Sequence, residues 1–436
     1  MRGLFTLAMA TVVSLITPSL AAPIVVNPGG TGSLQISELN TVNGTSFPIN
    51  AVKADNPLRI SVVNNFGGTS MHAWVTGQDT NGVVVMLSTD GTWYYPNPLG
   101  STTPIIINAT VAHPLGGLGE TTEFTLPDFL ISGRIWIADG ELTFFTVSSA
   151  DGNPQLVEPS AANPRDPSAN INWGFVELTN TSEGGIYANI SFVDFVGLVM
   201  GMTLTLNSGE VQKVQGLGAG AIADICNGLK AQSAIDGAEW GHMCVMSEDG
   251  TTPLRVMAPN LYLSNNPTAM YDYYTDYTEQ VWAKYTNEDL TIQTQVGAGN
   301  VTCRVSSTEL TCDGDNRGYP KPTTADIWGC NSGPFAILEG DNDIHSAIVP
   351  RLCAAFTRTT LLVDGGDVQP SLSSDSYYQQ SPTNHYSRLV HEYETDGRGY
   401  AFSYDDVNPS SENEAGVVAG ANPQVLQLTV GGFSSS

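Results

Sequence analysis

Between residues 58 and 206, apolar positions fall in short runs broken by Gly, Asn, Asp and Pro. The breaks recur at roughly 8–12 residues, the spacing of an all-β region that forms a sandwich or barrel. Residues 58–63, 72–75, 83–87 and 134–138 are examples of such runs. Beyond about residue 207 the periodicity changes. The stretch 212–232 carries Ala, Gly and Leu at helical spacing, and Asn266-Pro267 offers a cap and a first-turn proline for a helix running to Tyr285. Over 344–360, Ile344, Ala347, Ile348, Leu352, Ala355 and Phe356 form a helical stripe interrupted at Pro350. A Ser-, Asp- and Gln-rich stretch at 371–383 reads as a linker or flexible loop, and strand-like segments return at 386–390, 400–404 and 425–430. The chain is therefore expected to be mainly β with α+β character. A β-barrel or sandwich domain (22–206, completed by about 384–436) would carry an inserted mixed α/β domain (207–383).

One stretch combines this pattern with chemistry. Residues 172–179 and 190–197 read as two strands joined by a polar, Gly-containing turn, and each arm holds one carboxylate, Glu177 or Asp194, within an apolar or neutral run. An unpaired carboxylate is costly to bury, so two such positions ask for a reason. Glycoside hydrolysis supplies one, because it needs one carboxyl group to protonate the leaving oxygen and another to activate water or attack. Two exposed carboxylates on a wet sheet face fit the sequence as well. A turn centred on Glu183-Gly184 would pair Glu177 with Ile190 and hold the carboxylates over roughly 10 Å apart. An offset loop would make them diagonal neighbours at about 7–8 Å. Trp173, Thr179, Tyr187 and Ser191 can line a sugar groove, and they also fit as ordinary sheet residues. The same two readings apply to Tyr271, Tyr273, Tyr274 and Tyr277, placed on one expected helix.

Composition narrows the class. Arg2, an apolar run over 4–16 and Ser19-Leu20-Ala21 form a secretory signal over residues 1–21, leaving a secreted chain of about 415 residues. No later stretch reaches the ~20 apolar residues of a membrane helix. Cys226, Cys244, Cys303, Cys312, Cys330 and Cys353 fit three disulfides, with nearest-neighbour pairing expected among fifteen connectivities. Sequons at Asn43, Asn108, Asn180, Asn189 and Asn300 mark candidate surface positions; two flank the loop between the carboxylate arms, where a groove would leave them unoccupied. With 16 basic against 43 acidic residues, a net of −27, nucleic acid and anionic membranes are poor partners, whereas a neutral polysaccharide is compatible. His391-Glu392 lacks the second histidine of a zinc-protease helix, and no nucleophile-elbow, phosphate-loop or paired Asp-Thr-Gly motif occurs. Asp405-Asp406, before Asn408-Pro409, most simply caps a turn. No cofactor is implied, and a monomer is expected.

Glu177-Leu178-Thr179, followed by Val193-Asp194-Phe195-Val196-Gly197, resembles glycoside hydrolase family sixty-four, the laminaripentaose-producing β-1,3-glucanases, whose fold is related to the thaumatin-like proteins. The run from Ala73-Trp74-Val75 to Tyr94-Tyr95-Pro96 looks like that family's early strands, and 384–386 through 404–407 is similar to its closing segment. The resemblance implies a β-barrel packed on a mixed α/β domain with a wide groove between them, and inverting endo-hydrolysis of β-1,3-glucan. Glu177 would be the general acid and Asp194 the general base, with Thr179, Tyr187 and Ser191 lining the groove. At Tyr187 the family leads one to expect Trp, and at Ser191 Thr. The acid requires a raised pKa at Glu177 and an ionised Asp194. The competing reading is a non-catalytic thaumatin-like glucan-binding or antifungal protein; a disulfide-stabilised surface protein with a protein partner is a third.

Overall fold

Side chains alternate along the strand Asn172–Thr181, and each of its faces builds a different core. Val176 and Leu178 join Val62, Val75, Ile135, Ile137 and Leu426 in the larger core. Trp173 and Phe175 point the other way, into an aromatic cluster with Trp74, Trp136, Phe144 and Phe195. Each fully buried aliphatic or aromatic side chain of this kind contributes about 1.5–3 kcal/mol, so the register of this strand is strongly fixed. The computed structural model describes residues 58–409 and 415–433; the expected signal sequence and Asn43 lie outside the described residues.

Two large open sheets share the main core. The five-stranded sheet runs Val211–Val214, Met200–Leu206, Pro423–Val430, Arg59–Asn64, Thr121–Thr125. The eight-stranded sheet runs Val417–Gly420, Gly185–Asn189, Asn172–Thr181, Leu130–Asp139, Met71–Gln78, Val84–Leu87, Trp93–Tyr94, with His113–Pro114 also paired to Met71–Gln78. The last two strands of the chain thus lie among early ones, Pro423–Val430 being parallel to Arg59–Asn64 and antiparallel to Met200–Leu206. The sandwich alternative stands and the barrel does not. Among the described residues neither sheet closes, and each ends on short strands such as Val211–Val214 and Trp93–Tyr94.

The middle of the chain adds a four-stranded sheet (Glu309–Cys312, Asn300–Ser306, Leu290–Gln293, Val368–Gln369) and helices at Ala221–Asp236, Pro259–Asn265, Thr275–Asn287, Thr324–Gly329 and Asp343–Thr357. The disulfides pair nearest neighbours as expected: Cys226–Cys244, Cys303–Cys312 and Cys330–Cys353. The helix expected at 212–232 begins later, since Val211–Val214 is a strand paired with Met200–Leu206. The helix expected from Pro267 begins only at Thr275. Asp343–Thr357 passes through Pro350 unbroken. The 371–383 stretch is packed rather than loose, with Tyr377 and Tyr378 buried and the Tyr378 amide donating to Arg358 O at 2.9 Å.

Two expected strands are corrected. Residues 386–390 lie in a helix, His385–Tyr393, which Asn384 caps by accepting from the Ser387 amide at 3.1 Å. Tyr386, Leu389, Val390 and Tyr393 are spaced for a helix, and β-branched and aromatic content had masked that period. Residues 400–404 make one bridge, Tyr400 to Ser191, and then turn because the Asp405 carboxylate captures the Ala401 amide at 2.8 Å.

Candidate active site

Glu177 lies on the same face of its strand as Phe175 and Thr179, away from the main core. Its cross-strand neighbours there are Arg134 on one side and Asn189 on the other. Pairing with Asn189 rather than Ile190 shifts the hairpin by one residue from a turn centred on Glu183-Gly184. The partner strand Gly185–Asn189 ends before Asp194, which is therefore not in a paired arm. Asp194 sits on a bend before the two-residue strand Phe195–Val196.

Several bonds fix that bend. The Asp194 carbonyl accepts from the Ala258 amide at 2.8 Å, and Phe195 and Val196 pair with Met257 and Val256. The Leu198 amide donates to Trp173 O at 3.0 Å, a close approach that needs Gly197, since a Cβ there would strike the Trp173 carbonyl. Just upstream, Phe192 donates its amide to Tyr400 O at 2.7 Å and accepts from the Tyr386 hydroxyl at 2.6 Å. Segments from the middle and from the end of the chain therefore hold Asp194 where the charges of Glu177, Glu158 and Arg134 act on it.

Arg134 is the cation of the site. It is 8% exposed, and its guanidinium carbon lies 4.6 Å from the Phe175 ring centroid. It forms ion pairs with Glu177 at 3.1 Å and with Glu158 at 2.5 Å. Burial opposes its charge, but Glu158, Glu177 and Asp194 more than offset this and raise its pKa. Burial pushes Asp194 up to about 7; Arg134 pulls against that, and the Glu177 and Glu158 charges add to the rise. Burial is thus the main reason the Asp194 carboxyl is raised, while the guanidinium that opposes the rise bonds to Glu158 and Glu177.

The remaining expected site residues fare unequally. Tyr187 pairs with Thr179 on the Glu177 face, and its pKa is raised by burial and then by the charge of Asp406. Thr179 Oγ1 accepts from the Ser132 amide at 3.1 Å. Ser191 is half-buried and bridged to Tyr400. Trp173 is corrected: it is 1% exposed and packed on Phe195 and Trp136, with centroids 4.7 and 5.5 Å away, so it is a core residue and not a sugar platform. Tyr274 and Tyr277 are likewise buried, whereas Tyr271 is exposed. Arg134, Glu158 and Tyr386 were not singled out from sequence. Arg134 alone had a signal, a lone arginine in the apolar run 130–138.

Comparison with known proteins bears on this arrangement. The β-1,3-glucanase family model of glycoside hydrolase family sixty-four matches residues 56–430. The chain belongs to that family. It is similar to a glucan endo-1,3-β-glucosidase of Cellulosimicrobium cellulans, 28% identical over 404 residues, covering 90% of this chain and 68% of that protein. The equivalent protein of an Arthrobacter species (strain YCWD3) is 28% identical over 408 residues, with the same two coverages. Among solved structures, a laminaripentaose-producing β-1,3-glucanase in complex with laminaritetraose superposes with TM-score 0.75 at 26% identity, covering 87% of this chain and 99% of that one. A family sixty-four domain from Clostridium beijerinckii shares the fold, with TM-score 0.67, covering 86% and 98%. This family sixty-four chain is accordingly a glycoside hydrolase with endo-β-1,3-glucanase relatives.

Proposed function

We propose that the protein is a secreted endo-β-1,3-glucanase that cleaves β-1,3-glucan to short oligosaccharides with inversion, Glu177 acting as general acid and Asp194 as general base. The observation that carries this reading is the pair itself: two carboxyl groups supplied by different elements, Glu177 bonded to the Arg134 guanidinium and Asp194 buried within reach of both charges. Inversion requires one of them to protonate the departing oxygen while the other deprotonates a water on the opposite face of the sugar.

A second reading exchanges the roles, and the raised pKa of Asp194 favours it. In both cases the anomeric outcome is the same. Incubation with linear β-1,3-glucan, followed by NMR during the first turnovers, is expected to release α-anomeric oligosaccharides. Binding without release at several acidic pH values would replace the enzyme with a thaumatin-like binding protein.

Secretion also leads to a prediction about carbohydrate. Asn108 and Asn300 are exposed, while Asn180 and Asn189 are 4% and 2% exposed on strands of the eight-stranded sheet. Expressed in a eukaryotic secretory host, the folded protein is expected to carry glycans at Asn108 and Asn300 and none at Asn180 or Asn189. Glycopeptide mass spectrometry reads this directly, and a glycan at Asn189 in active protein would contradict it.

A further inference from the structure

Arg134 serves two carboxylates, and only one of them belongs to the proposed pair. Its Nε and Nη2 donate to Oε1 of Glu177 at 3.3 and 3.1 Å, and its Nη1 donates to Oε2 of Glu158 at 2.5 Å. Oε1 of Glu158 accepts from the Thr76 hydroxyl at 3.2 Å. That hydroxyl in turn accepts from the indole Nε1 of Trp136 at 2.9 Å. Trp136 is 1% exposed and Thr76 1% exposed, so the chain of bonds ends on an immobile ring. The line Trp136, Thr76, Glu158, Arg134, Glu177 thus runs from a rigid aromatic core to one oxygen, Oε1, of the Glu177 carboxyl group.

We propose that Glu158 is a positioning residue of this reaction: it anchors Arg134 against Oε1 of Glu177 and takes up part of the guanidinium charge, so that Glu177 can carry the proton it delivers. The inference rests on the reading that this pair performs the hydrolysis. A guanidinium bonded to Glu177 alone would favour the ionised carboxylate and stabilise a negative charge on both members of the pair. A second carboxylate on the same guanidinium cancels that bias. The charged and titratable groups that meet here come from five elements: Glu177 from Asn172–Thr181, Arg134 from Leu130–Asp139, Glu158 from the segment after Pro154–Val157, Asp194 from the bend before Phe195–Val196, and Tyr386 from His385–Tyr393.

The experiment is a pH–rate profile of Glu158→Gln and Glu158→Asp on linear β-1,3-glucan, alongside Glu177→Gln. Removing one negative charge lowers the pKa of both neighbours, so in Glu158→Gln both limbs of the profile are expected to move about one pH unit toward acid. At the wild-type optimum kcat is expected to fall about tenfold, with KM within about twofold, since no substrate contact is lost. Glu158→Asp keeps the charge but is too short to span Arg134 and Thr76 together; its limbs are expected to stay in place while kcat falls about fivefold. Unshifted limbs in folded Glu158→Gln, or a wild-type kcat in Glu158→Asp, would overturn the proposal. If Glu158→Gln does not fold, the kcat of Glu158→Asp still decides. Retained activity in Glu177→Gln would remove the underlying reading, whatever Glu158 does.

Discussion

Glu177→Gln and Asp194→Asn are each expected to lower kcat on linear β-1,3-glucan by about 10²–10⁴-fold, the usual worth of a positioned acid or base. Neither amide should unfold the protein, because each keeps the shape of the acid it replaces, Glu158 still pairs with Arg134 when Glu177 is an amide, and Asp194 is held through its backbone. A laminarioligosaccharyl fluoride separates the roles, since fluoride departs without a proton. If Glu177 is the acid, Glu177→Gln recovers most of its rate on the fluoride and Asp194→Asn does not. If the roles are exchanged, so is the pattern. The carboxyl that burial raises to about 7 is Asp194. As base it must be ionised, so the acid limb of the profile is expected to reflect that group and to disappear in Asp194→Asn. Wild-type rates in both amide variants would end the two-carboxylate mechanism here.

Part of this site was legible in the sequence and part was not, for physical reasons that differ by residue. Glu177 stood out because a strand's alternation assigns it a face, and the apolar neighbours Phe175 and Val176 make a carboxylate there costly. Asp194 stood out for the same reason, yet the reason was misplaced. Its segment is no strand arm; it is drawn against the sheet by the approach of Gly197 to Trp173 and by the pairing of Phe195 with Met257, contacts between residues distant in the chain that no local pattern records. Glu158 had no signal, since its role exists only once Pro154–Val157 is folded beside Thr76 and Arg134. Trp173 misled in the opposite direction. An aromatic residue two positions from Phe175 suits a sugar platform or a core equally, and the second core on that face claims it. The strand-rich first part and the local disulfides were readable because both follow from short-range patterns. The helix His385–Tyr393 was missed because its composition suggested one period and its spacing another.

Asp405→Asn is expected to cost about 3–5 kcal/mol of stability, the range for breaking a buried pair and leaving its partners charged. Asp405 is fully buried, bonded to Arg358 Nη2 and His391 Nε2 at 2.9 Å each, and it also caps the Ala401 amide. His391 Nδ1 meets Glu394 at 2.9 Å on its other side. Burial alone would lower the His391 pKa, but Asp405 and Glu394 outweigh it and raise the value well above the usual 6.5. For Asp405, burial pushes the pKa up, and His391 and Arg358 more than reverse this, leaving it lowered. The signs follow. The stabilisation from protonated His391 is complete below the unfolded histidine value and lost as pH rises through the folded one. That from ionised Asp405 is present above the unfolded carboxylate value and lost as pH falls through the folded one. The penalty of the amide should therefore be largest near pH 6 and shrink toward alkaline pH, as read from urea midpoints at pH 6 and 9. The same network fixes Tyr400, which holds the segment carrying Asp194 through Ile190 and Phe192. Folded Asp405→Asn at low temperature should keep its kcat within about fivefold, because Asp405 steadies the closing segment and does not touch the sugar. A loss on the scale of the Glu177 amide, at unchanged stability, would instead place Asp405 among the catalytic groups.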